Sequence, residues 1–551
     1  MRQKSDAVPG QHLVSKFSSM SYSVVWFKRD LRLHDHAALY HAAQRGPVLC
    51  LYVVEPAIWA APDAANQHYQ FILESLRELY TGLRQHGGRL FVVTGAVPAI
   101  LERLFFLQPF SALYSHEETG NDISYQRDKE VGRWCLQHGV AWQQFMQFGV
   151  VRRLKNRDLW KSQWDQHIAA PSWPMPAMTF IDLPWQEPAP PAPAQLGLDS
   201  FQPPQRQPGG RRAGVAVLDS FLQQRSRTYR GGISSPLSAP TACSRLSPYL
   251  AYGCVSLREI VQATLSKMHA LPALASGQKQ GLSAFISRLY WHCHFIQKLE
   301  SEPLIEYQNM HRGYDGMREA DWNPAHFTAL TEGRTGWPMV DACVVMLRET
   351  GWINFRMRAM LVSVAAYPLW LHWRECGQWL ARQFLDYEPG IHWSQMQMQS
   401  GTTGINIPRV YNPVKQARDH DPYGHFVRRW LPAMRRVPDS WLFEPWRMPD
   451  DLQARYGVIV GQDIARPLVD LEVASRAAKA RLFSLRAQPE IKAGKSAIVE
   501  KHASRKRSKA TLPSSGKAKT ISAKDSARPG PPTAHDTNAA PPASRQLSLE
   551  F

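Results

Sequence analysis

Val24-Val25-Trp26-Phe27-Lys28-Arg29-Asp30-Leu31-Arg32 runs from an apolar strand straight into a string of charges. An unbroken apolar run suits a strand buried on both faces, as in a parallel sheet. With Tyr22 included, Tyr22–Phe27 reads as the first strand. Gly46–Val53 and Arg89–Val93 are further short runs rich in β-branched residues. Between them Asn66–His86 sets Phe71, Ile72, Leu76, Leu79 and Leu83 at helical spacing. Strand alternating with helix predicts a parallel sheet covered on both faces, an α/β domain spanning 22–183.

Outward from that domain the character changes. Residues 184–212 form a linker, with Pro184–Pro208 rich in Pro, Gln and Ala. From 213 to 471 strand signals fade and helical periodicity takes over, which predicts a large all-helical domain. Residues 472–551 read as a helix end followed by a tail. Past Arg486 the chain turns to Lys, Ser, Ala, Gly and Pro. Such a composition buries too little apolar surface to offset its ordering entropy, so disorder is expected there. Residues 1–21 are a polar, disordered leader without the apolar segment of a secretory signal. Met357–Leu371 carries Arg358 and Pro368, too short and too charged for a membrane span. A soluble, cytoplasmic monomer with no membrane partner is expected.

The 551 residues carry a net charge of +19. From Arg486 onward thirteen Lys/Arg against five Asp/Glu hold +8 of it, which leaves +11 on the body. A surplus of that sign favours polyanions such as nucleic acid. Seven scattered cysteines without a CxxC pair point to reduced thiols and to neither a zinc nor an iron–sulfur site. His292-Cys293-His294 are helix neighbours about 100° apart, so one ion cannot use all three, and no metal is expected. Nineteen tryptophans serve an aromatic core, or stacking and electron transfer.

Four more segments carry chemistry. Ser244-Arg245-Leu246-Ser247-Pro248-Tyr249-Leu250 places two hydroxyls and an Arg before a helix start, which suits a phosphate and equally an ordinary cap. The others are Gly333-Arg334-Thr335-Gly336-Trp337-Pro338-Met339-Val340-Asp341-Ala342, Thr350-Gly351-Trp352-Ile353-Asn354-Phe355-Arg356-Met357-Arg358, and Val410-Tyr411-Asn412-Pro413. In this order and spacing, with Val24–Arg32, they resemble the photolyase/cryptochrome family across residues 22–445.

That resemblance implies an antenna-type α/β domain, a helical domain holding a folded FAD, and an antenna chromophore of folate or deazaflavin type. Its repair branch passes an electron from reduced FAD to a pyrimidine dimer flipped out of duplex DNA. Carried over by position, Ser244, Arg245, Leu246 and Ser247 hold the pyrophosphate, with Tyr229 as a phosphate-contacting tyrosine upstream. Phe285, Trp291 and His292 fall on the helix bordering the flavin, although core packing accounts equally for Phe285 and Trp291. Phe355 and Arg358 lie beside the isoalloxazine, and Asp386 and Glu388 near the ribose and ring. Buried charges such as Arg358 and Asp386 need partners.

The chain departs from the family at the ring end. On the helix that meets the lesion it reads Arg288-Leu289-Tyr290-Trp291-His292-Cys293. The stacking Trp survives as Trp291, while Arg288 stands in place of the lesion-binding Glu. His392 takes the place of the residue facing the flavin's redox nitrogen. Met396-Gln397-Met398 replaces Trp-Gln-Trp, so the proximal Trp of the electron chain is missing. Trp373 fits the middle position, with Trp393 or Trp370 as substitutes. Arg288, Trp291, Arg356 and Met398 are the DNA-side residues.

The chain ends Gln546-Leu547-Ser548-Leu549-Glu550-Phe551, which resembles the peptide that bacterial proteins use to bind the sliding clamp. Arg505-Lys506-Arg507-Ser508-Lys509 adds phosphate attraction, or is only a solubilising run. The reading is a light-driven lyase that repairs pyrimidine dimers in damaged duplex DNA. The alternative is a blue-light photoreceptor that signals through a partner.

Overall fold

The computed structural model describes residues 21–185 and 188–503. The leader up to residue 20, the basic cluster Arg505–Lys509 and the terminal hexapeptide lie outside the described residues.

Five strands make one parallel sheet: β1 (Ser23–Phe27), β2 (Val48–Val54), β3 (Leu90–Thr94), β4 (Ala112–His116) and β5 (Ala141–Phe145). Their order is β3-β2-β1-β4-β5. Ser23 pairs with Val48 on one side and Ala112 on the other, so β1 is central. Its five residues are all buried, as two covered faces require. The helix Asn66–Gln85 covers one face with Phe71, Leu76, Leu79 and Leu83. The chain after β1 turns toward β2 and the chain after β4 toward β5. A crevice therefore opens at the carboxyl ends between β1 and β4, where this fold class binds ligands.

The residues after β1 staple the two domains. Leu31 N donates to Tyr252 O, Arg29 Nε to Ala251 O, and Arg32 Nη1 to Gly253 O. Asp35 accepts from Ser256 Oγ and Arg258 Nη1. Gly253 stands at φ +64°, and a Cβ there would lie 2.1 Å from Arg29 O. This close approach is why the position needs glycine.

The rest is helical. The long helix Ser276–Ser301 packs against Pro389–Ser400, which in turn meets Phe355–Ala366 and Trp373–Gln383. The Gly333–Ala342 motif is a helix start held by its own side chains. Asp341 accepts from Thr335 N, Thr335 Oγ1 and Gly336 N, and so fixes the first turn of Pro338–Thr350.

Order continues past Arg486, where the sequence suggested disorder. Helices Leu471–Ala487 and Pro489–His502 are both formed. Ile491 is buried beside Gly313, and His502 Nε2 is 2.7 Å from Glu302 Oε2. Composition averaged over a long tail hides one anchoring apolar residue and one buried histidine–carboxylate hydrogen bond. No helix among the described residues is long and apolar enough to cross a membrane.

Candidate functional site

A cavity of about 1000 Å³, the solvent space at its mouth included, opens between Pro389–Ser400, Phe355–Ala366 and the His292 position of Ser276–Ser301. Ile353, Phe355, Val362, Phe384, Ile391 and Met396 give it apolar walls. Three buried polar atoms on those walls lack a hydrogen-bond partner among the described residues: Glu388 Oε1, Asn354 Oδ1 and Gln395 Nε2. Orphaned groups of that kind are costly unless a ligand completes them. An extended aromatic ligand carrying both donors and acceptors fits, and FAD is such a molecule.

Arg358 and Asp386 form the charged corner. Arg358 donates Nη1 and Nη2 to the two Asp386 oxygens at 3.0 and 2.9 Å, and Nε to Ile353 O. Burial pushes the Asp386 carboxyl up, but Arg358 and the Ser247 hydroxyl outweigh it and hold the group below the usual carboxylate range. Glu388 is the opposite case. Burial raises its carboxyl to about 7, and Arg29, 3.6 Å away, only partly offsets this.

His392 presents one ring nitrogen to Gly377 O at 2.8 Å. Burial lowers it to about 4, so the ring is neutral near pH 7. Nε2–H must then donate to that carbonyl, which leaves Nδ1 as an acceptor. The Trp393 ring is centred 4.9 Å from His392 and 6.0 Å from Trp373. Trp373 Nε1 donates to Asn309 Oδ1. Trp393 and Trp373 thus make a buried pair one ring back from the cavity. Trp370 lies instead between two guanidiniums, those of Arg318 at 4.6 Å and Arg481 at 4.5 Å.

Of the cofactor residues expected from sequence, Ser247, His292, Phe355, Arg358, Asp386, Glu388 and His392 line this cavity. Leu246 is packed in the core, and Ser244 O accepts from Arg225 Nη2. Arg245 adopts φ 60° and lays its guanidinium 3.9 Å over the Trp352 ring. It donates to Gln207 Oε1 and makes no ion pair among the described residues. Tyr229 and Phe285 pack with Phe221 as a buried aromatic trio and do not line the cavity. Trp291 is half-buried and packs edge-on to His294. Arg288, Arg356 and Met398 are also half-buried and off the cavity wall.

Sequence reasoning missed Cys243, Tyr387, Gln395 and Gln399 on the cavity wall. None stands out by residue type or spacing. It also assigned no role to Arg29, although the charged run after β1 contained it.

A second cavity, of about 800 Å³, occupies the crevice at the sheet's carboxyl end. Trp26, Tyr52, Trp59 and Tyr252 supply aromatic surface, and Lys28, Arg29, Glu55, Glu118 and Arg127 supply charge. Arg127 is tied to Glu55, Glu118 and Asp128. Tyr387 lines both cavities.

Asp30, His36 and His116 form a buried cluster with metal-like spacing. The hydrogen bonds argue against an ion. Leu39 N–H donates to His36 Nδ1, so the ring proton sits on Nε2, 3.0 Å from Asp30 Oδ2. A metal would need the lone pair that this proton occupies. The His292-Cys293-His294 side chains do not converge on one point: His292 meets the cavity with Nδ1 3.9 Å from Cys293 Sγ, Cys293 packs in the core, and His294 Nδ1 lies 2.7 Å from Arg157 Nη2.

Two family models match the chain, DNA photolyase over residues 23–153 and the FAD binding domain of DNA photolyase over 285–484. A deoxyribodipyrimidine photo-lyase of Alkalihalophilus pseudofirmus is 26% identical over 82% of this chain and 96% of its own length. A cryptochrome DASH of Gloeobacter violaceus is 29% identical over 81% of this chain and 93% of its own. The crystal structure of a bacterial class III photolyase from Agrobacterium tumefaciens superposes with a TM-score of 0.74 at 24% identity. It covers 87% of this chain and 100% of that one, and this likeness speaks for the fold.

Proposed function

The chain belongs to the photolyase/cryptochrome family, and from that premise we propose that it is a light-driven lyase splitting pyrimidine dimers in DNA. The observation that carries this reading is the large apolar cavity with three orphaned polar atoms, bordered by the helix that bears Arg288 and Trp291. FAD in that cavity would supply, in its reduced and light-excited form, the electron that opens the dimer. Arg358 and Asp386 form the charged corner that orients it, and Glu388 and Asn354 accept its donors. His392 offers an acceptor and no charge. Met396 and the apolar wall exclude water. Trp291 offers a face on which an extruded base can stack, and extrusion costs least where a lesion has already weakened stacking. Arg288, Arg356 and Met398 face the DNA side, and the +11 body charge attracts the duplex.

The second cavity is our proposed seat for an antenna chromophore of folate or deazaflavin type. The terminal Gln546–Phe551 is proposed as a sliding-clamp peptide, with binding of the isolated peptide to purified clamp as its check. A cytoplasmic monomer is part of the same reading.

A second reading is favoured by one specific departure. Arg288 stands where the repair branch has a lesion-binding Glu, which suits a blue-light photoreceptor that acts through a partner. The deciding experiment is illumination of the fully reduced holoprotein with a dimer-containing oligonucleotide. Loss of dimers supports the lyase. Light-dependent partner binding with intact dimers supports the photoreceptor.

A further inference from the structure

Arg29 and Glu388 form an ion pair across the wall between the two cavities. Arg29 lines the crevice and Glu388 lines the FAD-sized cavity. Arg29 uses Nε on Ala251 O and Nη2 on Tyr387 O, and Nη2 also lies 3.6 Å from Glu388 Oε2. Its Nη1 has no partner among the described residues. Glu388 Oε1 is buried and has no hydrogen-bond partner among the described residues. Tyr387 completes the wall, with its hydroxyl donating to Asp63 Oδ2 and its ring edge-on to His392 at 5.2 Å.

The other cations of the crevice are already engaged. Lys28 is paired with Asp128, and Arg127 with three carboxylates. That leaves Arg29 as the guanidinium with a donor to spare. The aromatic lining and the position at the sheet's carboxyl end suit a planar ligand. We propose that Arg29 binds the anionic group of a planar aromatic ligand in the crevice, and that its pairing with Glu388 transmits the occupancy of that crevice to the FAD-sized cavity. The second half rests on the reading of that cavity as a flavin site; the first half does not.

An anion at Nη1 competes with Glu388 for one guanidinium. Glu388, at Nη2, then shares the charge of its main favourable partner with a second anion. It faces Arg29 and Glu118 from the N-terminal domain, the Gly390 N–H on its own helix, and Tyr252 and Cys293 from neighbouring elements, and it shares a small void with Lys28, Asp30, His116 and Glu117. Arg29 is the cation paired with it. Filling the crevice therefore favours the protonated carboxyl. By reciprocity, neutralising Glu388 must tighten anion binding in the crevice.

The probes are 5-deazariboflavin and its 5′-phosphate, identical rings that differ by the anion, added to holoprotein and followed by deazaflavin fluorescence. Wild type should bind the phosphate about tenfold more tightly, as a charged hydrogen bond warrants. Arg29→Gln should erase the preference. Equal affinities in wild type would overturn the proposal. Because Arg29 also staples the domains, Glu388→Gln provides a second variant. It should bind the phosphate more tightly than wild type, and an unchanged affinity would overturn the coupling. The pH midpoint of the bound FAD absorbance change, expected near Glu388's value of about 7, should move up when the phosphate is added. A phosphate preference without that movement rejects transmission. Absence of bound FAD rejects the flavin reading and leaves the first arm measurable in the same sample.

Discussion

Asp386→Asn tests the charged corner. The substitution keeps the shape and one acceptor but removes the charge. Arg358 currently spends two parallel hydrogen bonds of 2.9 and 3.0 Å on that carboxylate, and its side chain is only 21% exposed. Breaking a buried pair from one side costs about 3–5 kcal/mol. The amide retains one bond and a fifth of the guanidinium is wet, so the low end, about 3 kcal/mol, applies. In a chain of 551 residues, with about 2 cal/mol/K of unfolding entropy per residue, that lowers the melting temperature by roughly 3 °C. Apoprotein should be melted by calorimetry, because lost FAD would itself lower the midpoint. Asp386's carboxyl lies below its ordinary value, so its stabilisation is present above the unfolded pKa and fades as pH falls through the folded one. The gap between wild type and variant should therefore shrink in strong acid. A variant within about 0.5 kcal/mol of wild type at pH 7 would refute the reasoning. So would a gap that widens in acid.

Gly253→Ala should separate or unfold the domain junction, because its Cβ would meet Arg29 O at 2.1 Å in a left-handed backbone; limited proteolysis between the domains reads this. Glu388 is raised to about 7, so the folded protein binds its proton more tightly than the unfolded chain does. Its stabilising contribution is present in acid and is lost as pH rises toward that value; in urea melts of apoprotein, Glu388→Gln should gain on wild type between pH 5 and about 7 and then level off. Trp393→Phe should slow photoreduction of bound flavin most, followed by Trp373→Phe, as absorbance near about 450 nm under blue light will record. Trp370→Phe should leave that rate unchanged, because Trp370 stacks with Arg318 and Arg481 and donates its indole N–H to Asp321, apart from the Trp393–Trp373 pair.

What the sequence made legible was local. The β1 run and the helix over 66–85 follow from buried apolar periodicity, and the structure forms both. Ser247, Arg358, Asp386, Glu388 and His392 were legible because charged or hydroxyl residues inside apolar helices need a reason to be there. Tyr229 and Phe285 were not separable from core by residue type, since an aromatic on a helix satisfies either environment; in the structure they pack with Phe221. Tyr387, Gln395 and Arg29 were hidden because their roles depend on two distant segments meeting at one wall. The helix Pro489–His502 was hidden by tail-averaged composition. The docked surface gives Ile491 the cluster of Tyr314, Tyr367 and Leu482 to bury against, and His502 the Glu302 carboxylate.

The central claim is that the cavity walled by Ser247, Arg358, Asp386, Glu388 and His392 holds FAD. The direct measurement is the flavin content of purified protein, taken as the absorption spectrum before and after heat release, in wild type and in Asp386→Asn. About one FAD per chain in wild type and a marked loss in the variant is the predicted result. Flavin absent from a folded wild-type protein supplied with FAD would contradict the account, as would flavin retained undiminished in the variant.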